Sequence, residues 1–253
     1  MRFSLDLLAR LRPGFSAIGP ALLVGGLLTT TSAIGQNLEA VGIAISANSN
    51  QTWAREAETQ VEQYRLLTDI DKGRLDDTGN RFSAYARVGF GLKGFFVQPE
   101  VAYCSVLGQA YGIYGPVQNN SPWLTTHSFV TRLRRLDVAP LTGLHLGKKA
   151  YLLAGPVLAF NLRDEFGFPD LPYNELVESI YQGTQRVQLL AQAGIGVKLW
   201  RFDLNARYEH SLTPYSREFT YNGQTYDYHQ TTSQLMLNLG FLLYDYRRPW
   251  RAK

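Results

Sequence analysis

The stretch VQLLAQAGIGVKLWRFDLNARYEHSL, Val187 to Leu212, alternates apolar and polar residues on both sides of the dipeptide Trp200-Arg201. Successive side chains of a β-strand point to opposite faces, so each half predicts a strand that is apolar on one face only. Leu199 and Phe202 flank the dipeptide and would pair directly, which keeps both apolar faces on one side. The stretch therefore predicts a hairpin, but its alternation does not show which face meets water.

The same alternation recurs along the chain and predicts eight strands, an even number. They span residues 40–48, 81–90, 95–105, 131–146, 150–162, 186–199, 202–212 and 232–243. Three connections are tight turns, whereas the others run for about 20 to 30 residues, which is long for a compact soluble domain. Short turns at one end and long loops at the other are typical of outer-membrane barrels, in which the short turns are periplasmic.

The glycines of these strands indicate where water lies. Seven fall on the less apolar faces: Gly42, Gly89, Gly143, Gly155, Gly194, Gly196 and Gly240. On a soluble barrel of the lipocalin kind, which is the alternative, that face would meet water and repeated glycine would weaken the strands without gain. Inside a narrow eight-stranded barrel, glycine makes room for neighbouring side chains. We therefore expect the polar face to line the interior and lipid to cover the apolar face.

The polar faces also carry four positive and four negative side chains. They are Arg87, Glu100, Arg135, Asp137, Lys198, Asp203, Arg207 and Glu209. Enclosed charges are costly unless they are paired, and the equal numbers allow each to find an opposite partner. We expect a structural network of salt bridges in the barrel interior. The alternative is a small gated conduit, since eight strands leave a lumen only wide enough for side chains.

The amino terminus has the pattern of a secretory signal peptide. Arginines precede the apolar segment FSAIGPALLVGGLLTTTSAIG, which places Ala33 and Gly35 at the −3 and −1 positions of a cleavage site. We therefore expect residues 1–35 to be a signal peptide and residues 36–253 to form the barrel domain. An uncleaved helical anchor is the alternative, although Pro20 and several glycines make a poor spanning helix.

Composition and short motifs argue against several other classes of protein. The formal net charge of +4 predicts no strongly basic surface for nucleic acid. Cys104 is the only cysteine, so no internal disulfide forms, and we expect a structural thiol within a strand. The glycines of GFGLKG, at 89–94, match a dinucleotide-binding spacing, but that site needs a following helix. A strand is predicted there, so the motif indicates a turn and no cofactor is expected.

A site for metal or acid–base chemistry at the outer rim is an alternative. The residues that could form it are His127, His210, His229, Glu218 and Asp227, whereas His145 falls near the inner end of its strand. No two of them have recognised ligand spacing, and no Gly-x-Ser-x-Gly motif marks a nucleophile. The residues therefore favour solvated loop histidines and no enzyme, with a rim-sited enzyme as the alternative.

The long loops contain two further patterns. Trp53, Ala57, Val61 and Tyr64 lie near helical spacing and predict a short amphipathic helix. The later loops are rich in aromatic residues: Tyr111, Tyr114, Trp123, Tyr173, Tyr181, Tyr215, Phe219, Tyr221, Tyr226 and Tyr228. Such residues suit either the interfacial aromatic girdle of a membrane barrel or a binding surface.

Three stretches, at residues 81–108, 136–162 and 187–214, contain the elements QPE with Tyr103, Pro140, AGP, GIGV and ARYEHSL. Together they resemble the PorT-like family of bacterial outer-membrane β-barrel proteins. The resemblance implies an all-β fold, an eight-stranded antiparallel up-and-down transmembrane barrel with short periplasmic turns and long extracellular loops. Together with the signal peptide, the eight strands and the unequal connections, the resemblance leads us to expect outer-membrane lipid around the barrel, a non-enzymatic role, and contacts with envelope or secretion proteins through loops or turns.

Overall fold

The computed structural model describes residues 37–55, 58–67, 78–90, 94–115, 126–162 and 174–246, so the predicted signal peptide lies outside the described residues. The strands within these ranges are β1 (Asn37–Ala54), β2 (Glu58–Val61), β3 (Tyr64–Leu67), β4 (Thr78–Gly89), β5 (Phe95–Tyr114), β6 (Thr126–Leu146), β7 (Ala150–Leu162), β8 (Val187–Leu199), β9 (Phe202–Ser211), β10 (Ser216–Tyr221) and β11 (Gln224–Asp245). A helix, α1, spans Asn174–Gln182. No helix in these ranges is long and apolar enough to cross a membrane.

Eight of the strands close into an antiparallel barrel in the order β1, β4, β5, β6, β7, β8, β9 and β11. The β1–β11 and β5–β6 pairs complete the ring. The eight predicted strands are therefore confirmed, although several run further than predicted toward the long connections. β11 begins at Gln224, for example, where the sequence predicted a start at Thr232. The added residues, such as SNQTWA at 49–54, do not alternate between apolar and polar side chains, so the pattern did not predict them.

The two ends of the barrel differ as predicted. We call the end with the β4–β5, β6–β7 and β8–β9 connections the turn end, and the opposite end the loop end. At the turn end Leu199 pairs directly with Phe202, as the alternation predicted. Trp200 between them has a φ of 56°, a left-handed conformation that matches the twist of a two-residue hairpin. GFGLKG likewise leads into a strand, β5, with Gly94 at a φ of 90°.

The outer wall is apolar. Large exposed side chains include Ile43, Ile45, Phe82, Ile195, Leu204, Leu235, Leu237 and Leu239. The opposite faces of the same strands are buried and mostly polar, so the polar face lines the interior. One part of the inner wall differs, because β5, β6, β7 and β8 present a buried apolar cluster. We call it the apolar inner wall; it contains Phe96, Ala139, Leu141, Tyr151, Leu153, Val157, Ala159 and Leu190.

The amphipathic helix expected from Trp53, Ala57, Val61 and Tyr64 is wrong. Trp53 belongs to β1, and Val61 and Tyr64 belong to the β2–β3 hairpin; Ala57 lies outside the described residues. Val61 and Tyr64 pair directly across a two-residue turn, in which Glu62 has a φ of 49°. A closing hairpin pair has the same separation of three residues as one helical turn, so the spacing alone could not distinguish the two structures.

The long connections pack together above the barrel at the loop end. We call their shared core the loop-end core; it contains Val61, Tyr64, Leu66, Ile113, Leu176, Val177, Ile180, Phe219 and Tyr228, all buried. These residues come from the β2–β3 hairpin, the extended part of β5, α1, β10 and the start of β11. The sequence did not predict α1, although its apolar residues recur at helical spacing at Leu176, Val177 and Ile180.

Candidate functional site

The predicted interior charges lie on the inner faces of five barrel strands. Seven of the eight are at most 2% exposed: Arg87, Glu100, Arg135, Asp137, Asp203, Arg207 and Glu209. They are brought there by the period of two, because each occupies the same face as the buried neighbours two positions away. The eighth, Lys198, is only half-buried and lies at the turn end.

Six buried charges form one connected group across the lumen. Arginine and acid alternate along it in the order Arg207, Glu100, Arg81, Asp137, Arg135 and Glu209. Arg81 joins Glu100 at 3.1 Å to Asp137 at 2.7 Å. Arg135 then contacts Asp137 at 3.0 Å and bonds to Glu209. Since Arg207 and Glu209 are both on β9, the group returns to the strand from which it began. We call it the ion-pair ring.

A second buried group surrounds Asp203 closer to the turn end. Arg87 Nη2 lies 2.9 Å from the Asp203 carboxylate, and the hydroxyls of Tyr85 and Tyr151 also donate to it. The Arg87 guanidinium lies over the Tyr151 ring at 4.3 Å and donates to Gln98. Every oxygen of this buried carboxylate therefore has a donor, as a charge in a low-dielectric interior requires.

Lys198 does not join either group. Its ammonium lies 2.8 Å from Asp245 at the turn end, where His145 also pairs with Glu39 at 2.8 Å. Both pairs border a cavity of about 170 Å³ at the mouth of the barrel. The two groups thus contain four buried arginines and four buried acids, while Lys198 pairs with a residue that the sequence prediction had left out.

Several members of these groups were missed by the sequence prediction. Arg81 has the same parity as Arg87 and was overlooked as the first residue of its predicted strand. Asp245 follows the predicted end of its strand. The prediction considered only charged residues and so left out Tyr85 and Tyr151, although buried tyrosine usually needs a hydrogen-bond partner for its hydroxyl. Parity within the predicted strand already identifies Arg81, whereas Asp245 has the opposite parity to Gly240 and faces the interior because of the register shift in the β1–β11 pair.

The residues of the suggested rim site are placed in separate contacts. His229 pairs with Asp227 at 2.5 Å, and His210 Nδ1 lies 2.8 Å from Ser233 Oγ. Glu218 faces Asp227 across the β10–β11 ladder; the side chain of His127 lies outside the described residues. Across the described ranges, no group of three or more His, Cys, Asp or Glu side chains is arranged to hold a metal.

Cys104 and several loop aromatics occupy buried positions. Cys104 is fully buried on β5 next to Asn48, whose amide nitrogen lies 3.9 Å from the sulfur. Phe219 and Tyr228 belong to the loop-end core, and Tyr215 bonds to Gln230. These three rings therefore serve neither an aromatic girdle nor an exposed binding surface. The side chains of Tyr111, Trp123 and Tyr173 lie outside the described residues.

Three solved structures are similar to the chain at low sequence identity. Ail of Yersinia pestis, solved with the heparin analogue sucrose octasulfate, is 11% identical over 82% of this chain and 100% of its own, with a TM-score of 0.40. AlkL in DMPC bilayers is 10% identical over 86% and 94%, with a TM-score of 0.36. The translocator domain of the autotransporter NalP from Neisseria meningitidis is 11% identical over 89% and 97%, with a TM-score of 0.30. No curated protein matches the chain.

The family comparison agrees with the closed barrel and its apolar outer wall. The family described as outer membrane protein beta-barrel domain matches residues 40–217. This range begins in β1 and ends in β10, so it includes seven of the eight barrel strands. The chain therefore belongs to the outer membrane protein β-barrel domain family, and the outer membrane is its location.

Proposed function

We propose that the protein is a non-enzymatic outer-membrane barrel with a closed interior, and that it contacts other envelope proteins through a preformed surface at its loop end. The observation that carries this proposal is the loop-end core, in which four connections share one set of buried side chains. The proposal includes export through the signal peptide 1–35, an extracellular loop end, and membership of the PorT-like group.

The closed interior is supported by the ion-pair ring. Eight-stranded barrels have an interior that side chains can fill, and here buried charges from β4, β5, β6 and β9 meet across it. Opening a path for ions would separate buried ion pairs, which is strongly unfavourable unless both partners are resolvated. A structural plug is therefore better supported than the gated conduit.

The contact surface is supported by the order within the loops. Asn222, at the tip of the β10–β11 hairpin, donates to the Glu62 carboxylate at 3.1 and 3.2 Å and so joins that tip to the β2–β3 turn. Phe219 stacks on Tyr226, with ring centroids 5.5 Å apart. A surface that is already ordered loses less conformational entropy on binding than a mobile loop would.

Site-specific photo-crosslinking in intact cells tests the contact surface. A photoreactive amino acid at exposed Gln224 of the loop end should give a discrete protein adduct, whereas one at lipid-facing Leu237 should give none. Leu176→Ser, which disturbs the loop-end core, should abolish the adduct. The barrel of this variant should still fold, as shown by a gel mobility that changes when the sample is boiled. Absence of any adduct at Gln224 and at neighbouring Thr220 would count against the proposal.

A rim enzyme is the second candidate, and one contact favours it. Ser233 and His210 are paired residues of β11 and β9, and their side chains hydrogen-bond at 2.8 Å. A hydroxyl beside an imidazole is the minimum of a nucleophile and its base, but no described carboxylate bonds to His210. Covalent labelling of Ser233 by a fluorophosphonate, lost in Ser233→Ala and in His210→Ala, would establish this function in place of the first. Equal labelling of wild type and Ser233→Ala would exclude it.

A further inference from the structure

Three prolines that carry the family resemblance lie in one row across the barrel wall. Pro99 of β5 pairs with Pro140 of β6. On β7, the pairs Val138↔Leu158 and Thr142↔Ala154 set the register so that Pro156 falls opposite Pro140. The row crosses three adjacent strands, and both Pro140 and Pro156 are exposed on the outer wall.

The strand pairing is interrupted at this row. Between β6 and β7 the ladder passes from Val138↔Leu158 directly to Thr142↔Ala154, so residues 139–141 face residues 155–157 without a ladder pair. Proline has no backbone N–H, and neither Pro140 nor Pro156 can donate to the other strand. In lipid, where no water can replace a lost bond, such a gap is costly.

Two details show that this interruption is local. A Cβ on Gly155 would lie 2.9 Å from the Pro140 carbonyl oxygen, so the two strands remain close although they are not bonded. Just beyond the gap, Thr142 Oγ1 donates to the Ala154 carbonyl at 3.0 Å. The β7–β8 ladder is continuous past Pro156, which pairs there with Ala191. We call the interrupted part of β6–β7 the proline seam.

The proline seam has apolar groups on both of its sides. Outside it lie the proline rings and lipid. Inside it lies the apolar inner wall, where Ala139, Leu141 and Val157 are at most 1% exposed. Other parts of the inner wall carry polar side chains, such as Asn48 and Gln234, and parting the strands there would bring polar groups against lipid.

We infer that the barrel wall parts at the proline seam, and that a hydrocarbon chain of the surrounding lipid then reaches the apolar inner wall. Two missing N–H donors lower the cost of separating the strands there, and the inward side chains that separation brings toward lipid, Ala139, Leu141 and Val157, are apolar. The ligand class is a lipid acyl chain. The inference depends on neither function proposed above.

Methyl NMR in bilayers that contain lipids spin-labelled on the acyl chain tests the inference. Paramagnetic relaxation of the Leu141 and Val157 methyls should exceed that of the Met236 methyl at least threefold. Met236 is a matched control because it is equally buried on the inner face of β11, between continuous ladders. Relaxation at Leu141 and Val157 no greater than at Met236 would overturn the inference.

Closing the seam provides the second arm of the test. The double variant Pro140→Val and Pro156→Val restores two donors and should reduce relaxation at Leu141 to the level of Met236. A disulfide between Thr142→Cys and Ala154→Cys, in a Cys104→Ala background, should have the same effect without replacing the prolines. The corresponding staple at Ile195 and Ala206, in the continuous β8–β9 ladder, should change nothing. Unchanged relaxation in both closed variants would also overturn the inference.

Discussion

Arg207 on β9 reaches across the barrel to Glu100 on β5, with its Nη1 at 3.0 and 2.9 Å from the two carboxylate oxygens. These strands are not neighbours in the wall. The contact therefore joins opposite sides of the barrel. It stabilises the closed barrel across its interior, whereas the ladder hydrogen bonds join only adjacent strands.

Loss of one member of this pair is expected to destabilise the barrel strongly. Arg207→Met leaves the Glu100 carboxylate buried with only Arg81 and Gln98 as partners, and such a loss costs about 3–5 kcal/mol. Urea unfolding in detergent micelles should show it as a lower midpoint. Arg217→Met, at an exposed position on β10, is the control and should change the midpoint little. Removing both members in Arg207→Met with Glu100→Leu should recover much of the loss.

Gly196 should not tolerate a larger residue. A Cβ at this position would lie 2.2 Å from the Tyr151 ring, so Gly196→Ala must displace the tyrosine that donates to Asp203. Overpacking of this kind costs about 1–3 kcal/mol. The temperature at which the folded band disappears in gels should fall. If Gly196→Ala is equally harmful in a Tyr151→Leu background, where the clash is removed, the steric explanation is wrong.

The loop-end core should unfold separately from the barrel. Ile180→Ala removes buried side-chain volume between α1 and its neighbours, and comparable substitutions cost about 2–5 kcal/mol. Limited proteolysis should then cleave the 174–186 region faster, while the folded barrel band persists. Simultaneous loss of that band would show that the core and the barrel form one cooperative unit.

Glu58 should titrate at unusually low pH. The hydrogen bond from Arg65 lowers its pKa below the ordinary value of 4.5. A lowered carboxyl pKa stabilises the hairpin above the ordinary value, and that stabilisation is lost as the pH falls through the lowered pKa. An NMR titration of the Glu58 carboxyl checks the direction. In Arg65→Gln the pKa should return toward 4.5, whereas in Arg217→Gln it should stay low.

Most of the barrel could be predicted from alternation, because one-sided burial in lipid imposes a period of two on every membrane strand. The Leu199–Phe202 pair followed from it directly. The alternation does not continue into the loop-end parts of the long strands, so these parts and α1 were missed. The spacing of Val61 and Tyr64 led to the wrong prediction of a helix, because the closing pair of a two-residue hairpin and one helical turn have the same separation in sequence.

The interior could be predicted only in part. Parity identified the faces, but the pairing of Arg81 with Asp137, or of Lys198 with Asp245, depends on the register of strands that are far apart in the sequence. The proline row also depends on strand register and could not be predicted from the sequence. Each proline belonged to a separate short motif, and only the combined registers of β5, β6 and β7 place them side by side.

Several connections contribute side chains to the loop-end core, and this limits how the exposed surface can vary during evolution. Connections that pack independently can be exchanged or lengthened one at a time. Here Ile113, Ile180 and Phe219 come from different connections and bury one another, so replacing one connection uncovers the others. Diversity among relatives should therefore appear as outward-facing side-chain changes on a backbone of constant length.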